Sequence, residues 1–242
     1  MTDQEWDRIV GVVARETSDA DAQDVPQRLC DAVLKLLPVS GASVSLRGEG
    51  MPVPLGASGE SAAYVLEMEV TLGDGPGLEA AETGVVVVAP DLTSRRDAGR
   101  WPVFAQQAAA AGVRSVYALP LGDRAVCVGT LDLYRDVPGE LAVGEVRTAR
   151  VVADVVTAAL LALPRDEQAG PGGDEGLWLS PLATDHGEVY QAVGMLMAQL
   201  GVPADEALAL LRGHAFAGDR TVLELAHDVV EHRTRFDDDP DF

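Results

Sequence analysis

EVYQAVGMLMAQLGVPADEALALLRGHAFAGDRTVLELAHDVVEHR, residues 188–233, contains three segments with apolar residues at helical spacing, separated by two stops. The first stop is Gly201-Val202-Pro203, a glycine suited to the left-handed end of a helix and a proline suited to open the next one. The second stop is Ala217-Gly218-Asp219, and Thr221 with Glu224 three residues later is the pattern of a capping box. The stretch therefore predicts three short helices.

Each predicted helix has one apolar stripe, and three stripes close one small core. The stripes are Val189, Ala192, Val193 and Leu196; Ala204, Ala207, Leu208 and Leu211; and Val222, Leu225, Ala226 and Val229. A bundle of this size is too small to enclose a water-free active site, so the pattern favours a module that binds another molecule through its surface.

The order and spacing of several residues in these helices resemble the ANTAR domain, a three-helix RNA-binding module of bacterial transcription antiterminators. The matching residues are Ala192, Gly194, Met195, the run from Ala207 to Leu211-Arg212, and Ala226, and the resemblance covers residues 184–236. The family often has lysine between the alanine and the glycine, where this chain has Val193. That difference removes one cation from the face that the family uses on RNA.

The resemblance implies an RNA-binding face on this module. Small residues on the first helix would let RNA approach its backbone, arginines would contact phosphates or bases, and an aromatic ring would stack on an unpaired base. The predicted RNA-binding residues are Tyr190, Ala192, Gly194, Met195, Arg212 and Arg220, with Phe216 as a second candidate for stacking. Packing inside the bundle is the alternative role for Ala192 and Gly194, and burial is the alternative for Tyr190 and Phe216.

Residues 1–163 alternate helical and strand patterns, beginning with two amphipathic helices. Strands are predicted at 42–46, 53–55, 85–88, 113–119 and 125–134, with helices between them and a long apolar helix at 140–163. A mainly antiparallel sheet with flanking helices is an α+β sandwich.

Three separated runs in this region resemble a GAF domain of the kind found in front of ANTAR modules. They are GDGPGLEAAETGVVVVAPDL, RWPVFAQQAAAAGVRSVYALPL and VGTLDLYRDVPGEL, and the resemblance covers residues 10–163. It implies either a pocket for a small molecule between sheet and helices, or dimerisation. Relatives often have cysteine after the Gly-Pro pair, where this chain has Gly77, so thiol chemistry is absent at that position.

Aromatic residues in the segments that would flank a GAF cavity are the candidate pocket residues, with packing in the core as their alternative role. They are Tyr64, Trp101, Phe104, Tyr117 and Tyr134. The glycine-rich loop with Gly73, Gly75 and Gly77 lacks the lysine and hydroxyl of a P-loop, so a tight turn beside a pocket is favoured over a phosphate site.

The residue types argue against an enzyme and against a cofactor. No histidine occurs among residues 1–165, which excludes a haem held by histidine there. Cys30 and Cys127 stand alone in apolar segments, so neither a redox pair nor a metal site is expected. No nucleophilic triad is recognisable. We therefore expect no catalytic residues, no metal and no cofactor.

The chain of 242 residues carries a net charge of −21, and no segment of it is basic. No apolar run is long enough to cross a bilayer and the N-terminus lacks a signal-peptide pattern, which predicts a cytoplasmic protein. The expected organisation is a sensory and dimerisation domain (1–163), a linker with a docking LWL triplet (164–183), the helical module (184–236) and an acidic tail (237–242).

The leading hypothesis is a homodimeric regulator that senses a small signal and binds tandem RNA stem-loops to prevent transcription termination. The terminal helices of the first domain are its expected dimer seam. The alternative hypothesis is a sensor whose helical module binds a protein partner instead of RNA, which the acidic surface and Val193 favour.

Overall fold

The structure is a computed structural model and describes residues 3–48, 50–122, 126–163 and 181–236. The helices are α1 (Asp3–Thr17), α2 (Val25–Leu36), α3 (Glu60–Leu72), α4 (Pro76–Thr83), α5 (Arg95–Ala98), α6 (Pro102–Ala110), α7 (Val143–Leu161), α8 (Pro181–Leu200), α9 (Ala204–Ala217) and α10 (Val222–Val230). The strands are β1 (Gly41–Arg47), β2 (Pro52–Ala57), β3 (Val87–Ala89), β4 (Ser115–Gly122) and β5 (Cys127–Arg135).

The five strands form one sheet in the order β2-β1-β5-β4-β3, and each neighbouring pair is antiparallel. The predicted α+β sandwich with a central antiparallel sheet is confirmed, as is the helical bundle after it. At the centre of the sheet β1 pairs with β5, so that Ser43 lies opposite Asp132 and Ser45 lies opposite Thr130.

Helices cover both faces of the sheet because side chains alternate between the faces along each strand. On one face, α1, α2 and α7 pack on a core that includes Leu119 of β4 and Leu131 of β5. On the other face, α3 and α6 pack on a second core that includes Val116, Ala118 and Tyr134. The alternation in β5 places Thr130 and Asp132 on the same side as Tyr134.

Helix α7 buries most of its apolar side chains within the chain. Val152 and Val156 have no exposed surface, and both belong to the core shared with α1 and α2. Packing against two helices as well as the sheet therefore accounts for its many apolar positions. On α1, Trp6 and Val10 remain 39% and 38% exposed.

The helical module has both predicted stops. Gly201 ends the first of its helices at a φ of +71°, in the left-handed region. At the second stop Asp219, and not Gly218, adopts the left-handed conformation, with a φ of +54°. The capping box is present: the Glu224 amide donates to the Thr221 hydroxyl at 3.1 Å, and the Glu224 carboxylate accepts from the Thr221 amide at 2.8 Å.

The helices differ from the sequence prediction in a few bounds. The short helix α5, capped by Ser94, was not predicted. Helix α7 begins at Val143 and not at residue 140, and α8 begins at Pro181. The predicted LWL docking triplet (177–179) and the acidic tail (237–242) lie outside the described residues.

Candidate functional site

The C-terminal turn of α3 holds the helical module against the first domain. The Arg212 Nε donates a hydrogen bond to the Val70 carbonyl at 3.0 Å, and its Nη2 donates to the Gly50 carbonyl at 3.4 Å. Helix α3 has no basic residue in its last turn, so Arg212 supplies the cation that favours a helix C-terminus. Gly73 leaves room for the guanidinium, because a Cβ there would lie 2.7 Å from Nη1.

Two further polar contacts join the same helix to the module. The first amide of α10, that of Val222, donates to the Thr71 hydroxyl at 2.9 Å. The imidazole of His186, which has no exposed surface, lies with its Nε2 3.0 Å from the Glu67 Oε1. Helix α3 therefore contacts all three helices of the module.

The interface is also apolar. Met51 and Val70 belong to the same core as Val189 of α8, Leu211 of α9 and Leu225 of α10. The Tyr190 hydroxyl approaches Gly48 so closely that a Cβ at that glycine would lie 2.6 Å from it. Tyr190 thus lies in the interface between the domains in this state, where its ring is packed against protein.

The predicted RNA-binding residues of α8 occupy different environments. Ala192 has no exposed surface and lies in the core of the module. Gly194 is exposed, with open space where a Cβ would stand, and Met195 is half-buried beside the core. Of these two small residues, Gly194 lies at the surface and Ala192 does not.

Arg220 is held by its own module. Its Nη2 donates to the Asp228 Oδ2 at 2.7 Å and to the Glu224 carbonyl at 2.6 Å. Arg233 donates to the other oxygen of Asp228 at 2.6 Å. Hydrogen bonds from Arg233 and Arg220 lower the pKa of Asp228. Two of the four arginines of residues 184–236 thus share one carboxylate.

A cavity of about 170 Å³ lies between the sheet and the helices α3 and α4. Its wall is formed by Ser45, Leu46, Arg47, Gly48, Gly50, Met51, Pro52, Glu69, Gly77, Leu78, Ala81, Glu82, Gly129 and Thr130. Arg47 and Glu82 are exposed, whereas Glu69 and Thr130 are buried. Gly50 and Met51 also contact the helical module, so the cavity wall and the interface share residues.

Two buried carboxyl groups lie together beside this cavity. Glu69 is 3% exposed and Asp132 is 1% exposed. A Cβ at Gly77 would lie 2.6 Å from the Glu69 Oε2 and 2.9 Å from the Asp132 Oδ2, so both groups point towards that glycine. Burial and the facing Asp132 raise the pKa of Glu69 well above its usual value, and burial raises the pKa of Asp132 to about 7.

The hydrogen bonds of the two carboxyl groups are unequal. The Glu69 Oε1 accepts from the amides of Gly77 at 2.6 Å and Leu78 at 3.2 Å, which caps the N-terminus of α4. The Asp132 Oδ2 accepts from the Thr130 hydroxyl at 3.1 Å, whereas its Oδ1 has no hydrogen-bond partner among the described residues.

Hydroxyl groups surround the acidic pair on the same face of the sheet. The Ser45 and Thr130 hydroxyls are 3.0 Å apart, and the Ser43 and Tyr134 hydroxyls are 2.8 Å apart. All four residues are buried. The centre of this sheet face is thus polar, in contrast to the apolar core on either side of it.

None of the five predicted pocket aromatics is among the residues that line this cavity. Four of them are buried in the two cores of the first domain, and Tyr64 is 38% exposed. The four buried ones are Trp101, Phe104, Tyr117 and Tyr134.

Glu69 and Asp132 were not predicted from the sequence. A signal was present in GTLDLY, where the alternation that buries Leu131 and Leu133 on one face places Asp132 on the opposite, helix-covered face. An acid facing inward from a central strand requires a partner.

The remaining chemistry is sparse in the described part of the chain. Cys30 is buried, and burial raises its pKa, so its thiol stays protonated. No group of three or more metal-ligating side chains occurs among the described residues. Within the same residues no single helix is long and apolar enough to cross a membrane. His186–Leu200 of α8 and the helix α9 are long and apolar enough only when taken together, and they are bent by 107° relative to each other.

The fold is an α+β domain with a small cavity, followed by a helical module. The GAF domain model matches residues 21–160, more than half of the chain, and the chain belongs to this family. The ANTAR domain model matches residues 183–230, which contain the three-helix module. The predicted combination of GAF and ANTAR domains is confirmed. GAF domains sense signals and ANTAR domains bind RNA, so both are regulatory domains.

Several solved structures are similar to this chain, among them two GAF domains. The GAF domain of a phosphoenolpyruvate-protein phosphotransferase from Acinetobacter has a TM-score of 0.52 at 14% identity, covering 72% of this chain and 100% of its own. The corresponding domain from Coxiella burnetii has a TM-score of 0.47 at 14% identity, covering 65% of this chain and 94% of its own. Free methionine-R-sulfoxide reductase from Neisseria meningitidis has a TM-score of 0.47 at 14% identity, covering 66% of this chain and 91% of its own. No curated protein matches the chain.

Proposed function

We propose that this chain is a signal-responsive RNA-binding regulator that acts by transcription antitermination in the cytoplasm. The GAF domain binds a small signal molecule, and the ANTAR domain binds stem-loops in nascent RNA, so that a terminator does not form. Two subunits present two ANTAR domains to tandem stem-loops. The matches of both domain models support the general kind of function.

The observation that carries the proposal is the position of three consecutive residues on α3. Glu69 lies in the wall of the cavity, while the Val70 carbonyl and the Thr71 hydroxyl hold the ANTAR domain. A ligand that moves the end of α3 therefore changes both contacts at once. This physical continuity gives the GAF cavity a route to the RNA-binding domain.

The docked arrangement described above is the resting state in this proposal. Arg212, a predicted RNA contact, donates its hydrogen bonds to the GAF domain, and Tyr190 packs between the domains. Both side chains become available to RNA when the ANTAR domain separates from α3. Signal binding thus acts by shifting the population of docked and separated states.

The electrostatics of the ANTAR domain predict RNA binding of modest salt dependence. Residues 184–236 contain four arginines and eight acidic residues. If Arg212 and Arg220 of both subunits contact phosphates, four phosphates are neutralised. A plot of log affinity against log salt concentration then has a slope of about −3. Shape and base contacts, including close approach at Gly194, then contribute much of the affinity.

The homodimer is part of the proposal. The surface that favours it is the outer side of α1, where Trp6 and Val10 expose apolar area one helical turn apart. Sedimentation equilibrium at micromolar concentration tests this: a Trp6→Lys variant is expected to be monomeric where the unmodified chain is dimeric. A chain that is monomeric with and without RNA removes the paired arrangement.

A second candidate function is the binding of a protein partner by the ANTAR domain. Two observations favour it: the net charge of −21, and the apolar side chains of Met197 and Phe216, which are 38% and 45% exposed. Both lie on the exposed surface of the domain, where a partner protein would cover them.

Crosslinking of the chain to RNA in living cells, followed by sequencing, separates the two functions. We expect enrichment of paired stem-loops, and a loss of that enrichment in an Arg220→Gln variant. Arg233→Gln is the matched control, because it also removes one arginine from Asp228 but lies outside the predicted RNA contacts. No enrichment for the unmodified chain and for Thr71→Val, which weakens docking, overturns RNA binding and favours the protein partner.

A further inference from the structure

We propose that the GAF cavity binds a small organic cation, a primary ammonium or amidinium group, between the carboxylates of Glu69 and Asp132. The proposal deepens the proposed function by giving the signal a chemical class, and it rests on that function for the cavity's role as a sensor.

The first argument is the geometry of the two carboxyl groups. Both are at least 97% buried, and both have an oxygen within 3.0 Å of the point where a Gly77 Cβ would stand. Gly77 itself lines the cavity, and because it has no side chain both acids lie against its backbone. A donor that enters from the cavity beside Gly77 reaches both acids at once, and a group with several N–H donors suits this arrangement.

The second argument is an unmet hydrogen-bonding requirement. The Asp132 Oδ1 is buried and has no partner among the described residues, although its neighbour Oδ2 accepts from Thr130. Capping of α4 explains Glu69, because its Oε1 accepts two amides there. No such structural role explains Asp132. A buried acceptor without a donor is costly to the fold and marks a position where a ligand is expected to donate.

The third argument is charge. Two carboxylates that face each other in a buried site repel, and each disfavours ionisation of the other. Of the described residues that line the cavity one is basic, Arg47, and it is exposed at the rim. Three or more metal-ligating side chains do not meet among the described residues, which disfavours a metal ion. An organic cation offsets one of the two negative charges and donates a hydrogen bond to the Asp132 oxygen.

The size and the rest of the wall limit the ligand. A cavity of about 170 Å³ accommodates a molecule of fewer than about ten non-hydrogen atoms. The hydroxyls of Ser45 and Thr130 lie beside the acids and add hydrogen-bonding positions, while Leu46, Met51 and Leu78 offer apolar contact to the remainder of the molecule. The expected ligand therefore has a cationic head group and a short apolar or mixed body.

The test compares three probes of equal length that differ in their head group: n-butylammonium, 1-butanol and butyrate. Thermal unfolding and calorimetry of the full chain are measured at pH 8 with each probe. We expect n-butylammonium to bind with a Kd near 1 mM and, at 10 mM, to raise Tm by about 3–6 °C. The alcohol and the carboxylate are expected to bind at least tenfold more weakly.

Variants assign the effect to the cavity. Glu69→Gln and Asp132→Asn are expected to weaken n-butylammonium binding at least tenfold each, whereas Glu140→Gln, the same charge change at an exposed position, leaves it unchanged. The proposal is overturned if none of the probes binds, if 1-butanol binds as tightly as the amine, or if both cavity variants bind like the unmodified chain.

RNA crosslinking is the separate readout for the proposed function. Amine binding without RNA enrichment leaves this proposal standing and removes the antitermination function. RNA enrichment without amine binding removes the proposal of a cation site and leaves the antitermination function standing.

Discussion

Replacing Asp132 by asparagine is expected to stabilise this protein at alkaline pH, although the substitution damages the proposed binding site. Burial raises the pKa of Asp132 from 3.8 to about 7 in the folded chain. Because the folded pKa lies above the unfolded one, the folded state retains a proton that the unfolded chain releases. The contribution of this carboxyl to stability therefore falls as the pH rises from about 4 to about 7, and it stays low at higher pH.

The size of the effect follows from the shift. A difference of about three pKa units corresponds to about 4 kcal/mol. Asparagine is neutral at every pH, so Asp132→Asn is expected to raise the free energy of unfolding at pH 8 by up to about 4 kcal/mol. At pH 4 the two proteins are expected to be nearly equal, because the carboxyl is then largely protonated.

Urea unfolding followed by tryptophan fluorescence at pH 4, 6, 7 and 8 measures this difference. Trp101 reports on the domain that contains the cavity, since it is buried in its core. Glu140→Gln serves as the control, with a difference from the unmodified chain that does not vary with pH. The reasoning is refuted if the Asp132→Asn protein is less stable than the unmodified chain at pH 8. It is also refuted if the difference in free energy of unfolding is the same at all four pH values.

Three further changes have distinct expected outcomes. Thr71→Val leaves the Val222 amide without its acceptor, which weakens docking by about 1–3 kcal/mol. We expect RNA binding to become at least fivefold tighter in a mobility-shift titration. Unchanged or weaker binding argues against a docked resting state. Gly194→Gln places a side chain in open space on an exposed helix face, so calorimetry should show an unchanged or slightly higher Tm. RNA affinity is expected to drop at least tenfold. An unchanged RNA affinity would show that Gly194 does not contact the RNA. Thr221→Ala removes the capping box with Glu224 and is expected to cost about 1 kcal/mol of stability in chemical denaturation, and a difference below the error of that measurement contradicts the capping role.

Local signals in the sequence predicted most of the fold. Gly201, Pro203 and the Thr221 capping box ended and began helices as expected, because such signals act within a few residues. The turn at Asp219 shows the limit of this reasoning: the left-handed position fell on the aspartate and not on the adjacent glycine, since both residue types adopt that conformation.

The candidate site was harder to predict because it depends on contacts between distant residues. Arg212 and Val70 are 142 residues apart, and the contact exists because α3 ends without a basic residue of its own. The sequence pattern identified Arg212 as a cation but not as the partner of a helix C-terminus. Likewise Glu69 meets Asp132 only after β5 and α3 have packed. Four of the five aromatic residues that were expected in the pocket are instead buried in the cores.

Transcription through a terminator is the most direct test of the central claim, that signal-controlled release of the ANTAR domain prevents termination. A template carrying stem-loops recovered by crosslinking, followed by their terminator, is transcribed by purified RNA polymerase with and without the full chain, and the fraction of full-length RNA is measured. We predict that the chain increases read-through, that Thr71→Val increases it further, and that Arg220→Gln abolishes the increase while Arg233→Gln retains it. Read-through that does not change when the chain and its Thr71→Val variant are bound to that RNA would contradict the account.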